Sequence, residues 1–112
     1  EKYYGKVVSD IANGLTECKA ERDQWIETGN TFVEFKSRNK PSGIATTHSD
    51  HWAVSFYKGE EVCFTLTVPI ESMKKIARKG RLIRGGDENT SEGMLVSIQD
   101  LINPDNYGGG ND

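Results

Sequence analysis

The chain has 112 residues, of which 35% are hydrophobic and 28% are charged, and its formal net charge is −3 at pH 7. These values predict one small globular domain and disfavour a protein that binds nucleic acids nonspecifically through a high overall positive charge. No apolar stretch is long enough for a membrane span and no signal peptide is visible, so we expect a cytoplasmic protein without a membrane partner. Two cysteines, Cys18 and Cys63, are too few for a disulfide framework or a zinc site.

The first predicted element is an amphipathic helix within residues 3–13. Its apolar residues recur at helical spacing, namely Val7, Val8, Ile11 and Ala12. The Asn13-Gly14 pair that follows is a helix stop signal.

Two strands are predicted next, joined as a hairpin at the Thr28-Gly29-Asn30 turn signal. Because strand side chains point alternately to opposite faces, one set of polar residues shares a face on each strand. On the first strand, within residues 15–23, these are Glu17, Lys19, Glu21 and Asp23. On the second they are Glu34, Lys36 and Arg38, together with Phe32. Closure of this hairpin places Asp23 opposite Glu34 and Glu21 opposite Lys36.

The predicted hairpin gathers three carboxylates and one amine, those of Glu21, Asp23, Glu34 and Lys36. Carboxylate oxygens suit a divalent cation that polarises a phosphate and activates water for phosphodiester hydrolysis. A lysine beside them can position the water and stabilise negative charge in the transition state. Acidic and basic residues also alternate on solvated strands for cross-strand pairing alone. From spacing alone, a metal site and a solvated strand face both remain open.

The connection after the second strand offers groups that can contact phosphate. Residues 38–42 are polar, and the Ser42-Gly43 turn presents backbone amides and a hydroxyl, as small anion-binding loops do. The hydroxyl of Thr46 or Thr47 can instead serve only as a cap for the next turn.

The remaining chain predicts a second hairpin, a basic helix, a final strand and a tail. The hairpin joins residues 53–57 to 61–68, with Trp52, Phe56, Phe64 and Leu66 expected in the core. The helix follows Pro69 and spans residues 70–79, and a strand follows at 94–98. Basic residues cluster along and after the helix, namely Lys74, Lys75, Arg78, Lys79, Arg81 and Arg84. Residues 103–112 are expected to form a flexible tail.

Several segments occur in a particular order, namely Glu17 to Arg22, Thr28-Gly29-Asn30, Phe32-Val33-Glu34, residues 37–47 (SRNKPSGIATT) and Asp50-His51-Trp52. In this order they resemble the phage-type branch of the PD-(D/E)XK nuclease superfamily, which includes Holliday-junction resolvases and many restriction enzymes. The resemblance extends to Val68-Pro69-Ile70, Gly85-Gly86-Asp87 and the strand at 94–98. It therefore covers roughly residues 5–102.

The resemblance implies a small α/β (α+β) nuclease domain at residues 1–102, with element order α-β-β-β-α-β and one mixed sheet of four to five strands. Glu34 and Lys36 fall on the family's E-x-K pair, and either Glu21 or Asp23 takes the place of the preceding acid. The implied catalytic residues are therefore Glu21, Asp23, Glu34 and Lys36, with the three acids as ligands of Mg²⁺ or Mn²⁺. Lys19, Arg38, Lys40, Ser42 and Thr47 are expected to contact nucleic acid, and Asp10 is a further candidate acid.

The expected function is metal-dependent hydrolysis of DNA phosphodiester bonds by a phage-encoded endonuclease in the host cytoplasm. It is expected to be structure-specific or to act as a resolvase-like homodimer. Two alternatives remain open. One is a catalytically inactive nuclease-fold module that binds DNA or a protein, and the other is an acidic immunity or inhibitor protein.

Overall fold

The computed structural model describes residues 15–108, apart from the side chain of Asp87. Within this range there are seven strands, namely β1 (Thr16–Arg22), β2 (Asn30–Ser37), β3 (Lys40–Pro41), β4 (His51–Lys58), β5 (Glu61–Pro69), β6 (Arg81–Gly85) and β7 (Ser91–Ser97). The α-helices of this range are α1 (Gln24–Thr28), α2 (Ile70–Arg78) and α3 (Ile98–Ile102). The predicted helix within residues 3–13, with Asp10, lies outside the described residues.

The first three-stranded sheet has the order β1-β4-β5, in which β1 runs parallel to β4 and β4 runs antiparallel to β5. The predicted β4–β5 hairpin is thereby confirmed. The predicted hairpin between β1 and β2 is wrong, because β1 pairs with β4 and the helix α1 separates it from β2. Gly29, with a φ of 70°, is the left-handed C-cap of that helix. Its turn signal ends a helix and does not close a hairpin.

A second sheet has the order β3-β2-β7-β6, with every neighbouring pair antiparallel. The ladder between β2 and β7 is interrupted by a β-bulge between Glu34 and Lys36. Register pairs Glu34 with Gly93 but Lys36 with Glu92. Because consecutive residues of β7 point to opposite faces, Glu34 and Lys36 also point to opposite faces. The expectation that they share a face is therefore wrong.

The core is built from both sheets and the apolar side of α2. Its buried residues are Val33, Ile44, Trp52, Val54, Phe56, Val68, Met73, Ile76, Ala77, Val96 and Leu101. Trp52 and Phe56 are buried as predicted, whereas Leu66 is half-buried and Phe64 is 36% exposed. Trp25 from α1 covers this end of the core, with edge-to-face contacts to Phe56 and Phe64.

The end of the described chain also belongs to the packed structure. Residues Pro104–Asn106 form a 3₁₀ turn, and Asn106 is only 4% exposed. Asn106 accepts a hydrogen bond from Lys79 and donates one to the carbonyl of Asp100, while the Tyr107 hydroxyl donates to the carbonyl of Leu101. The expected flexible tail is therefore wrong for residues 103–107.

The architecture is a small mixed α+β domain, which confirms the predicted fold class. Its strands are divided between two sheets where one mixed sheet of four to five strands was expected. Within residues 15–108, none of the helices has the length and apolar character needed to cross a bilayer.

Candidate functional site

Two acidic side chains and one basic side chain line a cavity of about 220 Å³ where β1 approaches β2. We call it the acid cavity. Its lining residues are Lys19, Ala20, Glu21, Phe32, Glu34 and Trp52. The charged groups come from strands in different sheets, so only the packing of the two sheets brings them together.

The pairing of β1 with β4 decides where the charged side chains of β1 point. Glu17 is in register with Trp52, and Glu21 is in register with Phe56. Paired residues of a parallel ladder share a face, so Glu17, Lys19 and Glu21 lie on the side of the sheet that carries buried Trp52. Since β1 is at the sheet edge, these side chains reach the rim of the core. The Nζ atom of Lys19 lies 3.3 Å from Oε2 of Glu17 and 5.5 Å from the centroid of the Trp52 ring.

Glu21 is held against β2 by hydrogen bonds. Its Oε1 accepts one from the hydroxyl of Thr31, at 2.5 Å, and one from the backbone N–H of Phe32, at 3.3 Å. Thr31 is only 2% exposed, so the carboxylate satisfies a buried donor. Within residues 15–108, the second carboxylate oxygen of Glu21 has no hydrogen-bond partner, which leaves it available to a ligand.

Glu34 is oriented by the loop that follows β3. The hydroxyl of Ser42 donates a hydrogen bond of 2.7 Å to Oε2 of Glu34. The neighbouring Gly43 begins the 3₁₀ turn Gly43–Ala45, which packs on the backbone of Glu34. Among the described residues, Oε1 of Glu34 also has no hydrogen-bond partner. Each carboxylate is thus fixed through one oxygen and open at the other.

A second cavity, of about 360 Å³, adjoins the acid cavity through Lys19, which lines both. We call it the loop cavity, and its other lining residues are Leu15, Glu17, Gly43, Thr46, Thr47, His48 and Ser49. The hydroxyl of Thr47 donates to Oε1 of Glu17 over 3.3 Å. The loop after β3 therefore contacts an acid at each end, through Ser42 at Glu34 and through Thr47 at Glu17.

The structure brings together part of the predicted site. Glu21, Glu34 and Lys19 line one cavity, with Ser42 bonded to Glu34 and Thr47 lining the loop cavity. Sequence reasoning assigned Lys19 to nucleic-acid contact and placed Glu17 on the same strand face without giving it a role in the site. The alternation Glu17-Cys18-Lys19-Ala20-Glu21 was the available signal for both.

Other predicted residues lie elsewhere. Asp23 is not among the residues that line the acid cavity, and its Oδ1 accepts a hydrogen bond of 2.9 Å from Gly59 N–H in the turn between β4 and β5. Its predicted position opposite Glu34 is wrong because β1 and β2 do not form a hairpin. Lys36 is likewise absent from the lining of the acid cavity, because the bulge in β2 turns it to the other face.

Arg38 lies in the turn that connects β2 to β3, and Lys40 is the first residue of β3. Arg38 and Asn39 both have positive φ values, 50° and 67°, which makes the two-residue connection of a tight hairpin. Lys40 is exposed, and neither basic residue lines the acid cavity. Both positive charges therefore lie just beyond the C-terminal end of β2.

The donor set of the acid cavity fits a magnesium-like ion. Mg²⁺ is commonly held in proteins by one or two carboxylates, with waters and substrate phosphates completing its coordination. Glu21 and Glu34 each offer one oxygen for this purpose, and the hydrogen bonds at their other oxygens orient them. Within residues 15–108, no group of three or more His, Cys, Asp or Glu side chains is arranged to hold a metal ion. The fit is therefore to a two-carboxylate site completed by water and phosphate.

Comparison of the chain with protein-family models, curated proteins and solved structures found no match.

Proposed function

We propose that the protein is a metal-dependent endonuclease that hydrolyses DNA phosphodiester bonds. The observation that carries this proposal is the shared lining of the acid cavity by Lys19, Glu21 and Glu34. Glu21 and Glu34 would hold Mg²⁺ or Mn²⁺. When bound, such an ion supplies Lewis-acid activation of the phosphate and of the attacking water.

The side chains of the chain itself have separate roles in this proposal. Lys19 places a positive charge beside the two acids, where it stabilises the charge that develops on the phosphate oxygens. Glu17, at 3.3 Å from Lys19, holds that ammonium group in position. Ser42 fixes the rotamer of Glu34 through its hydrogen bond. Lys36, which lies on the opposite face of β2, has no direct part in the chemistry.

DNA is expected to approach along the loop cavity and the β2–β3 turn. Thr47 lines that cavity, Arg38 lies in the turn and Lys40 is the first residue after it. The resemblance of its segment order to phage-type nucleases favours a phage-encoded enzyme that works in the host cytoplasm. A resolvase-like homodimer on branched DNA is one version of this activity, and a structure-specific endonuclease is another.

A second candidate is a nuclease-fold protein that binds DNA without cutting it. Two observations favour it. The lysine of the E-x-K pair faces away from Glu34, and the acid cavity contains two carboxylates where three were expected.

The experiment compares cleavage of supercoiled plasmid and of a four-way DNA junction with Mg²⁺, with Mn²⁺ and with EDTA. Wild-type protein is tested beside Glu34→Gln and the matched control Glu61→Gln, which alters an exposed acid in β5. Metal-dependent cutting that is lost in Glu34→Gln and kept in Glu61→Gln supports the endonuclease. Binding without cutting supports the second candidate. Absence of both binding and cutting rejects both and favours an acidic inhibitor.

A further inference from the structure

A third cavity, of about 360 Å³, continues from the acid cavity on the side opposite the loop cavity. Glu21 and Phe32 line both the acid cavity and this one, which we call the aromatic cavity. Lys19 joins the acid cavity to the loop cavity in the same way. The three cavities therefore follow one another along β1, with the acid cavity in the middle, and we call this row of cavities the groove.

Phe32 forms an apolar wall of the aromatic cavity. Cβ atoms placed on Gly93 and Gly85 would lie 2.7 Å and 3.2 Å from atoms of the Phe32 ring. The ring therefore packs directly on the backbone of two strands, β7 and β6, at positions where only glycine leaves room for it. Leu95, which is in register with Phe32, adds to the same wall. An aromatic ring held in this way is a rigid platform for another flat ring.

Polar groups stand around this platform. Gln24 and Asn30 line the cavity, and within residues 15–108 neither side-chain amide has a hydrogen-bond partner. Arg84 also lines it, with 68% of its side chain exposed and a separation of 3.8 Å from Glu92. Amides present a donor and an acceptor side by side, the pattern found on the edges of nucleobases.

We propose that the aromatic cavity binds one unpaired nucleobase of the DNA strand whose phosphate lies in the acid cavity. The inference rests on the proposed function for the identity of the ligand. The base stacks on Phe32, its edge meets the amides of Gln24 and Asn30, and Arg84 contacts a neighbouring phosphate. Stacking on aromatic side chains tolerates every base, because each base has a flat π-face. A strand with an extruded or single-stranded base is therefore preferred over a continuous duplex.

Binding, measured without cleavage, tests the subsite separately from the chemistry. A single-stranded oligonucleotide is titrated with protein in Ca²⁺ by fluorescence anisotropy, and an abasic nucleotide is moved through it one position at a time. We expect one position at which the abasic nucleotide weakens binding by roughly tenfold, the loss typical of one stacked base. In Phe32→Leu this penalty disappears, whereas in Val62→Ala, an exposed residue of β5, it remains.

Gln24→Ala is the second variant, because Gln24 is exposed and its loss leaves the core intact. It is expected to reduce the abasic penalty even where Phe32→Leu is poorly folded. An abasic scan that shows no sensitive position, or a penalty that survives both variants, overturns the subsite. If the subsite is rejected in this way but the protein still cleaves DNA with metal, the proposed endonuclease function is retained. If the abasic scan finds a sensitive position but no DNA substrate is cleaved, the endonuclease function is rejected and the subsite is retained. Failure to bind the oligonucleotide overturns the subsite, whereas the endonuclease is decided by cleavage of the plasmid and the junction.

Discussion

Gly43 packs so closely on Glu34 that a Cβ atom on Gly43 would overlap the Glu34 carbonyl oxygen. Gly43 also has a φ of 53°, in the left-handed region that disfavours other residues. This contact seats the turn after β3 on β2 and brings the Ser42 hydroxyl to the Glu34 carboxylate. The glycine next to the predicted Ser42 turn thus positions one of the two proposed metal ligands.

Gly43→Ala is expected to destabilise the fold more than Gly59→Ala. Both glycines have positive φ, 53° and 62°, but only Gly43 has backbone atoms in the path of a Cβ. Gly59→Ala should cost about 1–2 kcal/mol, the usual penalty for a left-handed alanine. Urea unfolding of the two variants measures the difference, and equal losses of unfolding free energy would contradict the close packing at Gly43.

Ser42→Ala should lower the rate of metal-dependent cleavage by about 10- to 100-fold, the range found when a metal ligand loses its orienting hydrogen bond. The fold should remain intact because Ser42 is only half-buried and belongs to a loop. Ser55→Ala is the matched control, since it removes a hydroxyl that bonds Thr65 away from the groove. Cleavage rates at several Mg²⁺ concentrations provide the measurement. An unchanged rate and metal dependence in Ser42→Ala would speak against Glu34 as a ligand.

Lys19→Ala is expected to abolish most activity and Lys36→Ala to leave it largely unchanged. Lys19 lines the acid cavity, whereas the β-bulge turns Lys36 to the opposite face of β2. Removal of one group that stabilises transition-state charge typically costs about 100-fold or more in rate. Single-turnover cleavage of both variants is the measurement. The reverse order of effects would show that the E-x-K lysine acts in the reaction after all.

Glu21 is expected to have a structural role as well as a catalytic one. Glu21→Ala leaves the Thr31 hydroxyl and the Phe32 N–H without their acceptor, which should lower the free energy of unfolding by about 1–3 kcal/mol. Glu21→Gln keeps an acceptor oxygen, so it should lose activity with a smaller loss of stability. Chemical denaturation and cleavage assays on both variants test this. Equal destabilisation by the two substitutions would contradict the role of the Glu21 carboxylate as hydrogen-bond acceptor for β2.

Asp23→Asn should retain metal-dependent cleavage. Asp23 accepts a hydrogen bond from Gly59, and asparagine has nearly the same size and shape as aspartate. The amide oxygen of asparagine can still accept from Gly59, so stability should also change little. Cleavage and thermal unfolding are measured beside Glu34→Gln. A loss of cleavage comparable with that of Glu34→Gln would indicate that Asp23 is a metal ligand after all.

The elements with local signals were predicted well from the sequence. Helix α2 was expected at residues 70–79 and spans Ile70–Arg78. The β4–β5 hairpin was expected at residues 53–57 and 61–68 and pairs His51–Lys58 with Glu61–Pro69. The side-chain alternation along β1 was also correct, because it depends only on the period of a strand. The pairing partner of β1 was not predicted correctly. Its parallel pairing with β4 joins residues more than thirty positions apart, and no short turn between the two strands signals the pairing in the sequence.

By itself, the sequence determined the strand that carries Glu34 and the shared face of Glu17, Lys19 and Glu21, because these follow from local periodicity. The small α+β class was what the resemblance of its segment order implied. Tertiary structure alone decided which charges meet. Pairing of β1 with β4 sets Lys19 and Glu21 beside Glu34 across two sheets, and one bulged residue in β2 turns Lys36 away. The physical reason is that sheet partners and bulges are settled by packing between distant segments, whereas periodicity is a property of neighbours.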